Sequence, residues 1–460
     1  MMKVVPWDMD NPLQDKFAPG AFVGSILLTS GVVDTVNIFH GVSGCYNLAE
    51  HLRTDHVPLG GFGRLIPTGY REAETVRGGV RKLDLALRKV VNLELVKEKP
   101  ACIWVSWSDC PAIAGDDMVG TARRFERESD IKIIPIDNCG FRGGIVRGAE
   151  LALCRILDEV VEPYDGPKKG LNIIAPFLIG SNNWPLDVDY MVELLEAADI
   201  PVNLVLSRNI HYEDLKRMAR AEANYVLSYE DMPDFVRKSE EKEIPVFQEP
   251  LVLPYGVGNS EEWYLAMAER FGNVDKAKRR LEAEMADVQG MLKGNYNFSW
   301  MTSFLSDKYV AVCGQAPFAA AITRYLFHDL NIRVKVVGLW AETEQAFERA
   351  EEVLRPLEDY LDFTVIENPT YFQIGNAVKE ANVDFVIGSI QDKPLFKGLG
   401  IPHLNLAGFY FFNNYNFIPW PLCGVKGTLR LFTETCRVVE DAFYETEAWK
   451  DLAFTPRDGA

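Results

Sequence analysis

A chain of 460 residues with 48% apolar and 25% charged content has the make-up of an ordinary globular protein, with room for about three domains of roughly 150 residues. Its formal charge of −18 and isoelectric point near 4.9 argue against nucleic acid and anionic membranes as partners, and would suit a docking protein with a basic face. The opening MMKVVPWDMDNP lacks the apolar core of a signal peptide, no stretch approaches about 18 uninterrupted apolar residues, and cysteines without secretion signals point to a reducing cytoplasm.

Residues 1–20, rich in Pro, Asp and Gly, read as an N-terminal arm. Residues 21–165 alternate helix and strand: GAFVGSILLTSG reads as a helix and VNIFH as a strand that ends at Gly41. ETVRGGVRKLDLALRKVVNLELVKEK reads as one long amphipathic helix, followed by the buried strand ACIWVSW. DDMVGTARRFERES, IKIIPID and IVRGAELALCRILDEVV continue the alternation, which implies βαβ units and a parallel sheet. After the linker DGPKKG, a second domain (166–300) offers strands at LNIIAPFLIG, VNLVLS, NYVLSY and PVFQEP. Within it LDVDYMVELLEAADI and VDKAKRRLEAEMADVQGMLKGNY read as helices. A third domain with the C-terminal tail (301–460) opens at KYVAVCGQAPFAAAITRYLFHDLNI and adds strands at VKVVGLW, FTVIEN, DFVIGS and HLNLAG. The expected fold class is α/β, with three Rossmann-like αβα domains in series.

Nucleotide signatures are missing: Gly256-Val257-Gly258 lacks the third glycine of GxGxxG, and no P-loop pattern occurs. Any ATP chemistry would belong to another protein. Most cysteines read as small buried hydrophobes, namely Cys102, Cys154, Cys436 and, at the end of a strand, Cys313. Cys45 and Cys110 differ. Each follows an apolar strand in a corner of small turn residues, and ligands of open α/β sheets sit beyond strand carboxyl ends. Neither has an obvious local base, since His40 lies five residues before Cys45 and reads as well as a core residue. Isolated nucleophiles and iron–sulfur ligands both remain open at this point; such clusters need thiolates in corners with backbone N–H groups aimed at sulfur.

HGVSGC (40–45), SDCPAIAGDD (108–117) and CGFRGG (139–144), with YREAETVRGG (70–79) and DFVIGSIQDKPLFKGLGIP (384–402), resemble motifs of nitrogenase component 1 and its relatives. The set runs over almost the whole chain in the family's order. The resemblance implies three αβα domains around a central cleft, and a dimer of related subunits holding an iron–sulfur cluster between them. It also implies electrons delivered by an ATP-hydrolysing iron protein. Cys45 and Cys110 would be the metal ligands, with the backbone of Gly41, Gly44 and Gly115 donating to cluster sulfides. Two such chains would supply four thiolates, as one [4Fe–4S] cluster needs. A larger, P-cluster-like cluster would need further ligands from a different partner chain.

Departures from the family pattern limit what carries over. The family's upstream cysteine ligand is absent; Phe17 and Gly20 occupy that region, and Asp15 is the nearby acid that could replace it. The middle-domain segment YEDMPDFVRKSEE offers Val236 and its neighbours but no thiol for an active-site cofactor, and Cys423 falls about where the family has a histidine. Val146, Arg147 and Glu150 stand where nitrogenase has a glutamine and a histidine. Dinitrogen reduction is therefore not expected. Arg142, Arg147, Glu150 and Cys423 are the candidate groups for meeting a small-molecule substrate, with structural readings open for Arg142 (an ion pair across domains) and Cys423 (a buried thiol). Among the reactions of relatives, C–S bond cleavage of methylthio-alkanes by a heteromeric complex is favoured. A homodimeric tetrapyrrole (nickel-sirohydrochlorin-type) reductase and a cofactor-assembly scaffold are the alternatives. A metal-free ligand-binding fold is disfavoured by the strand-end thiols.

Overall fold

A computed structural model describes residues 1–8, 19–56, 64–206, 208–306, 308–408 and 419–444. It is mixed α/β with three parallel sheets. By contacts the chain forms two compact units, one of Phe17–Leu178 with Pro201–Gln248, the other of Met1–Lys16, Ile179–Ile200 and Glu249–Ala460. Among the described residues no helix is long and apolar enough to cross a membrane.

The strands are, in chain order, β1 (Met2–Val5), β2 (Thr35–His40), β3 (Arg64–Pro67), β4 (Cys102–Trp107), β5 (Lys132–Pro135), β6 (Leu171–Ile174) and β7 (Val202–Leu206). They continue as β8 (Ala223–Val226), β9 (Val246–Phe247), β10 (Tyr309–Gln315), β11 (Arg333–Trp340), β12 (Phe363–Glu367), β13 (Phe385–Ser389) and β14 (His403–Ala407).

The first unit holds two four-stranded sheets, ordered β3-β2-β4-β5 and β7-β6-β8-β9. β2 and β4 are buried at every position, which is why both read as continuous apolar runs rather than alternating ones. One face of this sheet packs Val36, Ile38, Ile103, Val105 and Ile133 against Leu83, Leu87 and Val90 of the helix Val80–Val91 and Phe125 of the helix Met118–Glu128. Before β2 in the chain, the helix Ala21–Ser30 is buried at all ten positions.

The second unit is built on a six-stranded sheet, β1-β12-β11-β10-β13-β14. β1 corrects the expectation of an unpacked arm, because Met2–Val5 pair in register with Phe363–Ile366 at the sheet's edge. Four residues with a partner some 360 positions away leave no periodic signal. The linear domain boundaries are also modified: Ile179–Ile200 and the chain from Glu249 onward join the six-stranded unit rather than the β6–β9 sheet. The long helix expected from ETVRGG onward is broken into Glu72–Arg77 and Val80–Val91, because Gly78 takes φ +82°. β3, a four-residue strand ending at Pro67, has no counterpart among the elements expected from sequence.

Candidate functional site

All four strands of the β3-β2-β4-β5 sheet are parallel, so their carboxyl ends share one edge. The chain leaves β2 for β3 on one side and returns as β4 on the other, so the strand order reverses between β2 and β4. Open α/β sheets bind ligands at such a reversal. Cys45 follows β2 and Cys110 follows β4, so topology alone delivers both thiols to that place.

Cys45 lies in the first turn of the helix Ser43–His56, where backbone N–H groups have no intrahelical acceptor. The close approach of the two corners requires Gly41, where a Cβ would sit 2.4 Å from Ser108 Oγ. Gly44 is exposed with nothing within 4 Å of a Cβ position, so its backbone faces open space. Cys110 is the second residue of a short helix, Asp109–Ile113, rather than part of a plain turn. Pro111 is tolerated there because a first-turn N–H would have no intrahelical partner. Gly115, with φ +72°, closes that corner, and its N–H is taken by Ala112 O at 3.2 Å, so it is not directed outward as expected from sequence.

Both thiols are half-buried. Burial pushes the Cys45 thiol above its ordinary range, and the neighbouring Cys110 and Asp109 push it the same way; the Ser108 hydroxyl works weakly against them. That hydroxyl is buried and makes no hydrogen bond of ordinary geometry. Charge on the Cys45 sulfur is thus disfavoured by burial and by two neighbouring groups. A shared cation is the simple chemical relief. Asp109 accepts from Phe141 N at 3.2 Å, tying the 139–142 corner to the Cys110 corner. Cys139 is buried in the sheet's core, and burial raises its pKa.

The other candidates are placed differently. Arg142 is exposed and pairs with Asp137 beside it, not across domains. Glu150 is 2% exposed, and its Oε1 accepts from Asp234 N (2.7 Å) and Phe235 N (3.2 Å), capping the helix Pro233–Glu241. Its second oxygen pairs with Arg147, which also bonds Asp234 at 2.8 Å. Cys423 is fully buried in the six-stranded unit, where its Sγ donates to Asp187 O at 3.2 Å and burial holds its pKa well above the ordinary range. Val146 is buried in the helix Ile145–Glu159. Asp15 lies outside the described residues. Among the described residues no group of three or more His, Cys, Asp or Glu is arranged to hold a metal ion.

Sequence reasoning missed the partner of Asp116. The acidic pair 116–117 reads as a helix cap, and Asp117 is one, accepting from Gly120 N at 2.8 Å. Asp116 instead reaches His40 and Gly79. Only the recurrence of His, Gly-Gly and Asp-Asp in neighbouring corners hinted at it.

Comparison with known proteins identifies the family. The family model described as nitrogenase component 1 type oxidoreductase matches residues 20–440. The nitrogenase iron-molybdenum cofactor biosynthesis protein NifE of Clostridium pasteurianum is 21% identical over 83% of this chain and 80% of its own length. The nitrogenase molybdenum-iron protein beta chain of Methanococcus maripaludis is 22% identical over 93% and 94%. A light-independent protochlorophyllide reductase chain of Methylobacterium sp. (strain 4-46) is 27% identical over 66% and 57%. A solved structure described as nitrogenase Cp1 at pH 6.5 superposes with a TM-score of 0.74 at 19% identity, covering 94% of this chain and 95% of that one, a likeness of fold. With a family match over residues 20–440 that includes both cysteine corners, this chain belongs to the nitrogenase component 1 type oxidoreductases.

Proposed function

We propose that this chain is one subunit of a nitrogenase-like two-component reductase, holding one half of an iron–sulfur cluster at a subunit interface through Cys45 and Cys110. The observation that carries the reading is the pair of half-buried thiols at the strand-order reversal, close enough that Cys110 helps to raise the pKa of Cys45. Among the described residues no third ligating group is arranged with the two thiols, as fits half of a shared site. The remaining ligands come from a sister subunit or a second copy of this chain. When bound, the cluster supplies one-electron storage between an ATP-hydrolysing iron protein and the substrate.

The chain's own residues hold and orient. The first-turn amides beside Cys45 work against the burial that raises its pKa, without reversing it. The Ser108 hydroxyl can turn toward the Cys45 sulfur, and the bare backbone at Gly44 leaves room for a partner's approach. Asp109 keeps the Phe141 corner fixed against the Cys110 corner. Arg142, exposed and paired with Asp137, is the group we assign to meeting a partner or substrate. Glu150 and Cys423 act in holding the two units' interiors rather than in chemistry. We read the substrate as a small molecule reduced at a C–S bond, of the methylthio-alkane kind; the similarity to the protochlorophyllide reductase chain keeps a tetrapyrrole as the alternative. The similarity to NifE favours a second reading, an assembly scaffold that carries a cluster without turnover.

The test is anaerobic purification, alone and with neighbouring gene products, followed by iron analysis and EPR of the wild type, Cys45→Ala and Cys110→Ala. About two irons per chain from the protein alone, lost in both variants, indicates a bridging four-iron cluster in a homodimer. Iron appearing only with a sister subunit indicates the heteromeric complex. Reductant consumption that stops once the cluster is reduced, and does not resume when substrate is added, favours the scaffold. No iron in any preparation ends the cluster reading.

A further inference from the structure

Between the two cysteine corners runs a chain of buried hydrogen bonds that cluster ligation does not itself require. Asp116, six residues after Cys110 in SDCPAIAGDD, has a side chain 3% exposed. Its Oδ2 lies 3.0 Å from His40 Nε2, and its two oxygens share the Gly79 N–H at 2.8 and 2.9 Å. His40, fully buried, is the last residue of β2 and opens the turn that carries Cys45. Its Nδ1 is 2.9 Å from Thr68 Oγ1, just past β3, and the Tyr70 ring meets the imidazole edge-on at 5.1 Å.

Chemistry fixes the direction of each bond. An ionised carboxylate only accepts, so Nε2 carries the proton and donates to Asp116; in the neutral ring Nδ1 then accepts from the Thr68 hydroxyl. Burial favours that neutral ring. The glycines of the 70–79 segment make room for the arrangement. A Cβ on Gly79 would lie 2.2 Å from the Tyr70 ring and 3.0 Å from Asp116 Oδ2, and one on Gly78 would lie 3.0 Å from Oδ1. One carboxylate therefore ties the corners after β2, β3 and β4 to the start of the helix Val80–Val91.

The geometry points to Asp116 and His40 as positioning residues for the thiol pair: their hydrogen bond sets the spacing of Cys45 and Cys110 before any metal or partner arrives. The inference rests on the reading of those thiols as shared cluster ligands, and it assigns neither residue a contact with the cluster. The need is physical. Cys110 rides on a five-residue helix, too short to hold its own shape in water. Its continuation bends back at Gly115, with Asp116 N bonded to Pro111 O at 3.1 Å, so the Asp116 side chain is the anchor that carries this loop onto β2. A cluster spanning two chains tolerates little error in ligand spacing, and a buried bond whose carboxylate also accepts from the Gly79 N–H holds such spacing in the chain's own interior.

Thiol spacing can be read without metal. Cluster-free protein, kept reduced, is treated with a short bifunctional methanethiosulfonate, and the Cys45–Cys110 cross-link is timed by peptide mass analysis. The variants are Asp116→Ala, Asp116→Asn, His40→Phe and the control Asp117→Ala, which removes a helix cap from the same loop; circular dichroism reports folding. Asp116→Ala and His40→Phe are expected to cross-link about tenfold or more slowly than the wild type, since the advantage of a preset geometry is lost. Asp117→Ala stays at the wild-type rate. Asp116→Asn falls between, because the imidazole can reverse its tautomer to accept from the new amide N–H. After anaerobic loading with iron and sulfide, the slow variants show an altered EPR line shape at comparable iron content. Wild-type cross-linking rates in folded Asp116→Ala, or in His40→Phe should the alanine variant fail to fold, overturn the inference. Absence of iron from the loaded wild type overturns the cluster reading instead, and leaves the cross-linking result standing.

Discussion

Asp187 is a buried carboxylate with every oxygen engaged. Leu422 N donates to Oδ1 at 2.6 Å, while Ser181 Oγ (2.7 Å) and Tyr255 Oη (2.8 Å) donate to Oδ2. Burial raises its pKa above the ordinary carboxylate value, and the three donors oppose that rise. A carboxyl with a raised folded-state pKa favours folding below the unfolded value of 3.8, and this contribution is lost as pH climbs through the folded value. The difference in unfolding free energy between wild type and Asp187→Asn should therefore shift in the variant's favour from about pH 3 to pH 6, measured by urea titration at each pH. Asparagine fits, because Oδ1 still accepts from Leu422 N and both hydroxyls can turn to accept from Nδ2. Asp187→Ala strands the Leu422 N–H and should cost about 3 kcal/mol or more. The same cluster explains Cys423. Its place about where the family has a histidine made it stand out in the sequence, but the group it bonds lies 236 residues earlier, and no local pattern announces such a partner. Cys45 and Cys110 were legible for the opposite reason: strand, small-residue corner and thiol are all local.

Helices Ala21–Ser30 and Ile145–Glu159 cross at two glycines. A Cβ on Gly24 would stand 1.9 Å from Ile145 O, and one on Gly148 1.8 Å from Ala21 O; Ser25 Oγ donates to Gly148 O at 2.6 Å. These are backbone clashes that no rotamer relieves. Gly24→Ala and Gly148→Ala should each destabilise by about 1–3 kcal/mol, although alanine is the better helix former. Gly290, in the helix Val274–Leu292, has nothing within 4 Å of its Cβ position, so Gly290→Ala should stabilise by about 0.5–1 kcal/mol. Urea midpoints for the three variants decide it; a loss at Gly290 as large as at Gly148 would mean that contact is not the cause. The helix Ala21–Ser30 was recognisable from its composition, but with all ten residues buried it has no polar face to reveal its orientation. The helix expected across Gly78–Gly79 breaks at Gly78, and the Gly79 N–H freed there is taken by Asp116, 37 residues on, a partner no local pattern announces.

At the scale of the whole chain, alternating strand and helix patterns were enough to predict three parallel sheets, since parallel strands need crossovers that leave a long sequence imprint. The interleaving of segments between the two compact units left none, because segment swaps such as Ile179–Ile200 change partners without changing local pattern. Charge acts at this scale too. With 66 acidic and 48 basic residues, the folded chain concentrates an excess of −18 that the unfolded chain spreads over a larger volume. Attractive pairs oppose this, notably the half-buried network in which Arg123 and Lys132 bridge Glu126 and Glu159 at 2.6–2.9 Å. Salt separates the two effects. Raising NaCl from about 0.01 M to 0.15 M shortens the screening length from about 30 Å to about 8 Å, which removes long-range repulsion while close, partly buried pairs are screened far less. The thermal midpoint of the metal-free protein should therefore rise by about 1–2 °C over this range, a gain of about 1–2 kcal/mol. Sodium chloride is the right salt, because sulfate or phosphate would strengthen apolar burial as well. A midpoint that falls with added NaCl would show that the ion-pair networks outweigh the acidic excess.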